Sequence, residues 1–124
     1  MNDPAVTMFD SLPNSNLIAY RKALEAAGIA LALVARVPAP LKSLADQVGR
    51  SATSVPANLA EGHGRIGRDR AHHWRIAYAS AMEVDCHLRL LCVSGAVHRG
   101  KAMTALQLFD EVRAMTWRML HPKT

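Results

Sequence analysis

The stretch LADQVGRSATSVPANLAEGHGR, residues 44–65, decides the fold of this chain. Its apolar residues recur every three or four positions, which places them on one face of an α-helix. With the leucine one turn before the stretch, this apolar stripe consists of Leu41, Leu44, Val48, Ala52, Val55 and Leu59. The spacing predicts a helix over about residues 41–61 whose apolar face packs against other helices.

Pro56 lies inside this predicted helix, where its missing N–H removes the hydrogen bond to the carbonyl of Ala52. The apolar stripe nevertheless stays in phase across the proline, from Val55 to Leu59. We therefore predict one continuous helix that bends at the proline, rather than two short helices.

A stripe of small polar residues runs beside the apolar stripe and consists of Gln47, Ser51, Ser54, Asn58 and Glu61. Solvent-facing helix positions usually carry Lys and Glu, so hydroxyls and amides here indicate groups held between helices or at a subunit contact. Ser80 and Glu83 are expected opposite them on the next helix. Since buried polar groups need partners, the seven residues predict an inter-helix hydrogen-bond network that fixes packing register. The alternative interpretation is one wall of a polar pocket.

Three further segments show helical periodicity, over about residues 14–37, 69–94 and 101–121. Proline or glycine follows each of them, as is typical of helix ends. Four helices with short connections predict an all-α fold, an antiparallel up-down-up-down four-helix bundle. We expect one domain over residues 14–122, preceded by a flexible arm over residues 1–13.

The periodicity also predicts which residues face the core. For the first helix these are Leu17, Tyr20, Leu24, Ala27, Leu31 and Val34. For the third they are Ala77, Ala81, Val84, Leu88 and Leu91, and for the fourth Leu106, Phe109, Val112, Thr116 and Met119. A single bundle cannot bury every apolar residue off these stripes, so some of them are expected to contact a second copy of the chain. The residues off the stripes are Ile18, Ile29, Leu33, Val37, Met103 and Leu108.

Positive charge is concentrated in the second half of the chain. The formal net charge is +5, and residues 61–124 hold ten of the 15 Lys and Arg residues. Four arginines crowd one region around a single nearby aspartate, and they are Arg65, Arg68, Arg70 and Arg75. Such a concentration attracts polyanions, so these four are the predicted nucleic-acid contacts. The alternative is a solvated helix end whose arginines pair across a subunit contact.

Composition argues against membrane and secreted classes. No apolar run approaches the roughly 20 residues of a membrane span, and the N-terminus lacks the basic region of a secretory signal. Cys86 and Cys92 lie six positions apart on one predicted helix. The resulting separation of about 9 Å is too long for a disulfide. We therefore expect a cytoplasmic location.

The residues indicate neither a catalytic nor a metal site. No G-x-S-x-G turn is present, and neither Ser51 nor Ser54 has an evident histidine base. His72 and His73 are adjacent and point in different directions on a helix, and no Glu-x-x-His motif occurs. We predict no catalytic residues, no metal and no cofactor.

The same stretch resembles the signature of the 23S rRNA intervening-sequence protein family, roughly L-x-x-Q-x-x-R-(A/S)-x-x-S-(I/V)-P-x-N-(I/L)-A-E-G-x-G-R. The matching residues are Leu44, Gln47, Arg50, Ser51, Ser54, Val55, Pro56, Asn58, Leu59, Ala60, Glu61, Gly62, Gly64 and Arg65. Weaker matches continue at Ile76, Ala77, Ser80 and Glu83, and the resemblance extends over about residues 15–120. It implies a four-helix bundle that self-associates, in some relatives as a ring of five.

The sequence is compatible with three functions. The first is a homo-oligomeric binding module for structured RNA or DNA, and the resemblance implies a homopentamer. The second is a protein-interaction scaffold without nucleic acid. The third is an enzyme with a polar pocket around Ser54, Asn58, Glu61, Ser80 and Glu83. We favour the first, because a basic subunit repeated in an oligomer multiplies phosphate contacts. Base-specific recognition is not expected, because Trp74 and Trp117 are interpreted as core or interface anchors and not as base-stacking platforms.

Overall fold

The computed structural model describes residues 14–123, so the predicted arm over residues 1–13 lies outside the described part of the chain. Four α-helices follow one another: α1 (Asn14–Val34), α2 (Lys42–His63), α3 (Gly67–Val93) and α4 (Arg99–Leu120). A single 3-10 turn, Ala39–Leu41, precedes α2. Each helix packs on the next, and α4 returns to α1. The fold is therefore the predicted all-α, antiparallel four-helix bundle, and the described part contains no strand.

Helix α2 forms as the sequence predicts. It runs without interruption through Pro56, which is itself buried. Val48, Ala52, Val55 and Leu59 all lie in the core. Burial of the apolar stripe therefore stabilises the continuous helix by more than the missing hydrogen bond at Pro56 destabilises it.

The inner faces of α3 and α4 also agree with the prediction. Every predicted core residue of α3 is buried, and so are Leu106, Phe109, Val112 and Thr116 of α4. Thr116 Oγ1 donates to the carbonyl of Val112 at 2.7 Å, so its hydroxyl is satisfied inside the core.

The predicted inner face of α1 is only partly right: Ala27 is buried as predicted, but the helix is rotated relative to the prediction. Its buried residues are mostly alanines, namely Ala19, Ala23, Ala26, Ala27, Ala30 and Leu33, whereas the predicted core residue Leu31 is 43% exposed. Tyr20, Leu24 and Val34 are only half-buried. Alanines let α1 approach its neighbours closely, and the larger residues flank that contact. The side chain of Leu17 lies outside the described part.

The apolar residues predicted to lie outside the core divide into two groups. Leu33 and Val37 are buried, and Ile29 and Leu108 pack against the core, so these four contact their own chain. Ile18 and Met103 are 47% and 49% exposed, respectively. None of the four helices combines the length and the apolar character that a membrane crossing requires.

Candidate functional site

Arg70 holds together the two helices that carry the predicted basic region. Its Nε donates to the carbonyl of Gly62 at 3.1 Å, and its Nη2 donates to the carbonyl of His63 at 3.2 Å. These carbonyls belong to the last turn of α2, where donors four residues ahead are missing, and the carbonyl of Gly62 also accepts from the backbone N–H of Arg65 at 3.2 Å. The guanidinium also lies 5.5 Å from the ring centroid of Trp74. Arg70 is half-buried and committed to this helix connection, which corrects its predicted role as a free contact residue.

Arg65 is balanced by two carboxylates. Its Nη2 lies 3.1 Å from Glu61 Oε1, and its Nη1 lies 3.3 Å from Asp69 Oδ2. Hydrogen bonds to Glu61 and then to Asp69 raise the pKa of Arg65 above its ordinary value. The arginine stays charged, but these two carboxylates offset its attraction for an external phosphate.

Arg68 and Arg75 remain available to an external ligand. Both are exposed, and within residues 14–123 neither takes part in an ion pair. His72 is also exposed and lies between them. Spacings of four and three residues place all three on one outward face of α3. We call Arg68, His72 and Arg75 the α3 ridge.

A polar cluster joins α2 to α3 on the inner side of the same helix pair. Ser80 Oγ donates to Ser54 Oγ at 2.8 Å, and Asn58 Nδ2 donates to the same oxygen at 3.1 Å. His73 Nδ1 lies 3.0 Å from Asn58 Oδ1. Because an amide oxygen only accepts, His73 Nδ1 carries the proton of this bond. Ser54, Asn58, His73 and Ser80 form what we call the Ser54 cluster.

Four residues predicted for this network lie elsewhere. Ser51 is buried, and its hydroxyl donates to the carbonyl of Gln47 at 2.9 Å, within its own helix. Gln47 is half-buried and makes no described side-chain hydrogen bond to α3. Glu61 and Glu83 are exposed. Glu61 forms an ion pair with Arg65, beyond the end of α2. Glu83 directly precedes the buried Val84, and successive helix residues point about 100° apart, so Glu83 points away from the core.

His73 is a member of the cluster that the sequence interpretation missed. It precedes Ser80 by seven residues, so the two share one face of α3 across two turns. This seven-residue spacing would have allowed His73 to be predicted as a member of the cluster.

Trp117, predicted to be a core or interface anchor, is not a core residue. It is 48% exposed, and its predicted role at an interface stays a prediction. Its ring stacks on His121, with 4.1 Å between the ring centroids and 25° between the ring planes. Together with Arg75, Tyr78 and Leu120, these two rings line a surface recess of about 230 Å³. In the described part of the chain, no three His, Cys, Asp or Glu residues form a metal-binding group.

The sequence profile of the family described as "23S rRNA-intervening sequence protein" matches residues 15–118. The chain belongs to this family. A comparison with curated proteins gave no significant match.

One solved structure shares the fold of this chain. It is a Bacteroides thetaiotaomicron protein described as having unknown function and as belonging to the S23 ribosomal protein family. The TM-score is 0.77 at 23% sequence identity, and the match covers 86% of this chain and 97% of the relative. At this level of identity the likeness establishes the bundle alone.

Proposed function

We propose that this protein is a cytoplasmic, non-catalytic module that binds RNA or DNA through phosphate contacts on the α3 ridge. The observation that carries the proposal is the pair Arg68 and Arg75, which are exposed, lie on one helix face and have no carboxylate partner among the described residues. Seven residues of helix separate them by about 10 Å along the axis. Two separate phosphates can therefore be contacted by one face.

Such contacts read charge and not base sequence. Arginine binds phosphate oxygens in a bidentate manner, and each neutralised phosphate releases counterions, so affinity falls as salt rises. Two arginines per chain bind weakly, but a homo-oligomer presents several ridges to one polyanion and gains affinity by multivalency. The homo-oligomer, and its proposed form as a pentamer, is therefore part of the proposal.

The test is binding to generic structured RNA and duplex DNA at low and high salt. Replacing Arg68 and Arg75 together by Ala should weaken binding at low salt and flatten its salt dependence. The matched control is Arg36→Ala with Lys101→Ala, which removes two exposed positive charges from the opposite end of the bundle. Equal losses in the two double variants, or no binding by the unmodified chain, would contradict the proposal.

A specific observation favours the scaffold function as a second candidate. Leu90, Val93 and Met103 are 50%, 87% and 49% exposed where α3 ends and α4 begins. Val93 and Met103 also line an apolar recess of about 210 Å³. Exposed apolar residues grouped in this way mark protein contacts, including contacts between copies of one chain.

Light scattering on a charged variant tests this candidate. Val93→Glu should lower the mass of the assembly, because a buried carboxylate opposes association. Ile66→Glu is the matched control, since Ile66 is 82% exposed at the other end of α3. An unchanged mass in Val93→Glu would exclude this surface as the contact between copies.

A further inference from the structure

The end of α4 presents an aromatic surface held in a defined position. His121 Nδ1 lies 2.8 Å from the carbonyl oxygen of Trp117. Since that carbonyl only accepts, Nδ1 donates the hydrogen and the imidazole is tied to the helix end. The tied imidazole lies stacked on the indole at 4.1 Å, and the Trp117 residue still remains 48% exposed. The indole is therefore both supported and accessible.

The surroundings of this surface are basic and apolar. The recess of about 230 Å³ is lined by Arg75, Tyr78, Trp117, Leu120 and His121, and no carboxylate is among them. Arg113 lies 6.0 Å from the Tyr78 ring centroid but is bound to Asp110 at 2.6 Å. Arg75 is therefore the cation available at the recess, and it is also the last residue of the α3 ridge.

We propose that this recess, the Trp117 subsite, binds one unpaired base of a nucleic acid whose backbone lies along the α3 ridge. The base stacks on the exposed indole of Trp117, and Arg75 contacts the phosphate next to that base. Stacking on an aromatic side chain accepts any base, because every base has a π-face. This inference rests on the proposed function and adds to it a preference for single-stranded segments over duplex.

Three features favour a nucleobase as the occupant. The subsite includes Arg75, one of the two unpaired arginines of the ridge, so phosphate and base would be held by neighbouring side chains. Its lining combines π-surface with positive charge, which is the chemistry used for single strands. The absence of a lining carboxylate among the described residues removes repulsion toward phosphate.

The experiment compares a ten-nucleotide single-stranded RNA with inorganic polyphosphate, which carries charge but no bases. Trp117 and Trp74 are the two tryptophans of the chain, and Trp74 is buried. Tryptophan emission should therefore fall when RNA binds and stay unchanged when polyphosphate binds. In Trp117→Phe the emission comes from Trp74 alone, so the fall should disappear.

The variants give the second readout. Trp117→Ala should weaken RNA binding by about tenfold, within the range measured for loss of one stacked base, and leave polyphosphate binding unchanged. Trp117→Phe retains a stacking ring and should bind RNA nearly as well as the unmodified chain. Leu31→Ala is the matched control, because Leu31 is 43% exposed on α1, outside the ridge and the recess. Circular dichroism of each variant checks that the helices remain.

The outcomes separate this inference from the proposed function. If RNA binds but emission is unchanged and Trp117→Ala binds as tightly as the unmodified chain, the Trp117 subsite is refuted. The proposal that the α3 ridge binds nucleic acid is then retained. If neither RNA nor polyphosphate binds at low salt, both are refuted. If Trp117→Ala weakens RNA and polyphosphate equally, Trp117 acts on charge or folding and the subsite is refuted.

Discussion

The indole of Trp74 occupies the space that a Cβ atom on Gly62 would need. An ideal Cβ built at Gly62 would lie 2.5 Å from Trp74 Nε1, closer than non-bonded atoms approach, and 3.2 Å from the carbonyl oxygen of Arg70. Gly62 is therefore what allows the end of α2 to lie directly against α3. This contact sets the position of the α2–α3 connection and, with it, of the α3 ridge.

Gly62→Ala should destabilise the protein by about 1–3 kcal/mol, the usual cost of overpacking a core contact. Urea unfolding measures this cost. The matched control is Gly28→Ala, because Gly28 is exposed inside α1 and a Cβ there meets nothing within 4 Å. That control should stabilise the protein by up to about 1 kcal/mol, since alanine is the better helix former.

The contact between Gly62 and Trp74 also predicts that the stability costs of substitutions at these two residues are not additive. Trp74→Leu removes the ring that would collide with the new Cβ, and Trp74 Nε1 has no hydrogen-bond partner within residues 14–123 that would be lost. In the Trp74→Leu background, Gly62→Ala should therefore cost less than in the unmodified chain. Additive costs would show that the collision is not what makes alanine unfavourable at Gly62.

Arg70→Ala should lower the free energy of unfolding by about 1–2 kcal/mol, because the carbonyl of His63 loses its side-chain donor, the carbonyl of Gly62 keeps only the backbone N–H of Arg65, and Trp74 loses its cover. Arg68→Ala is the matched control and should change stability by less than about 0.5 kcal/mol, as is usual for a surface site. Thermal or urea unfolding of both variants measures the difference. Equal stabilities would contradict the structural role of Arg70.

Ser54→Ala should cost more stability than Ser80→Ala. The first removes the acceptor of Ser80 and one of the two acceptors of Asn58 Nδ2, which keeps the Ser54 carbonyl at 2.9 Å, whereas the second leaves Ser54 Oγ still bonded to Asn58. A double-mutant cycle on Ser54 and Ser80 should give a coupling energy of about 1 kcal/mol. A coupling energy near zero would show that the 2.8 Å bond does not stabilise the packing of α2 on α3.

Gly95→Ala should destabilise the end of α3 by about 1 kcal/mol. Gly95 has φ 78°, a left-handed conformation that alanine adopts only at a cost. The amide of the following residue, Ala96, donates to the carbonyl of Leu91 at 3.0 Å, which closes the helix end. Gly64→Ala is the control, because Gly64 has a φ of −78° that any residue can adopt. This substitution should leave the free energy of unfolding nearly unchanged.

The candidate site was predictable only in part. Arg68 and Arg75 were identified from charge density, but the same reasoning included Arg65 and Arg70. What separates the two pairs is their neighbours: two carboxylates face Arg65, and two helix-end carbonyls face Arg70. Charge density in a sequence does not show which partners the fold supplies.

The bundle and the inner face of α2 were determined by the sequence alone. The apolar residues of α2 form one continuous face with small polar residues beside it, so only one orientation buries the apolar face. In α1 most residues from Ala23 to Val34 are apolar, and several orientations would have buried a similar area. The tertiary structure chose the alanine face, because small side chains let the helices approach closely. It likewise decided that Trp117 remains exposed, since the exposure of a residue depends on which neighbours the packed helices place around it.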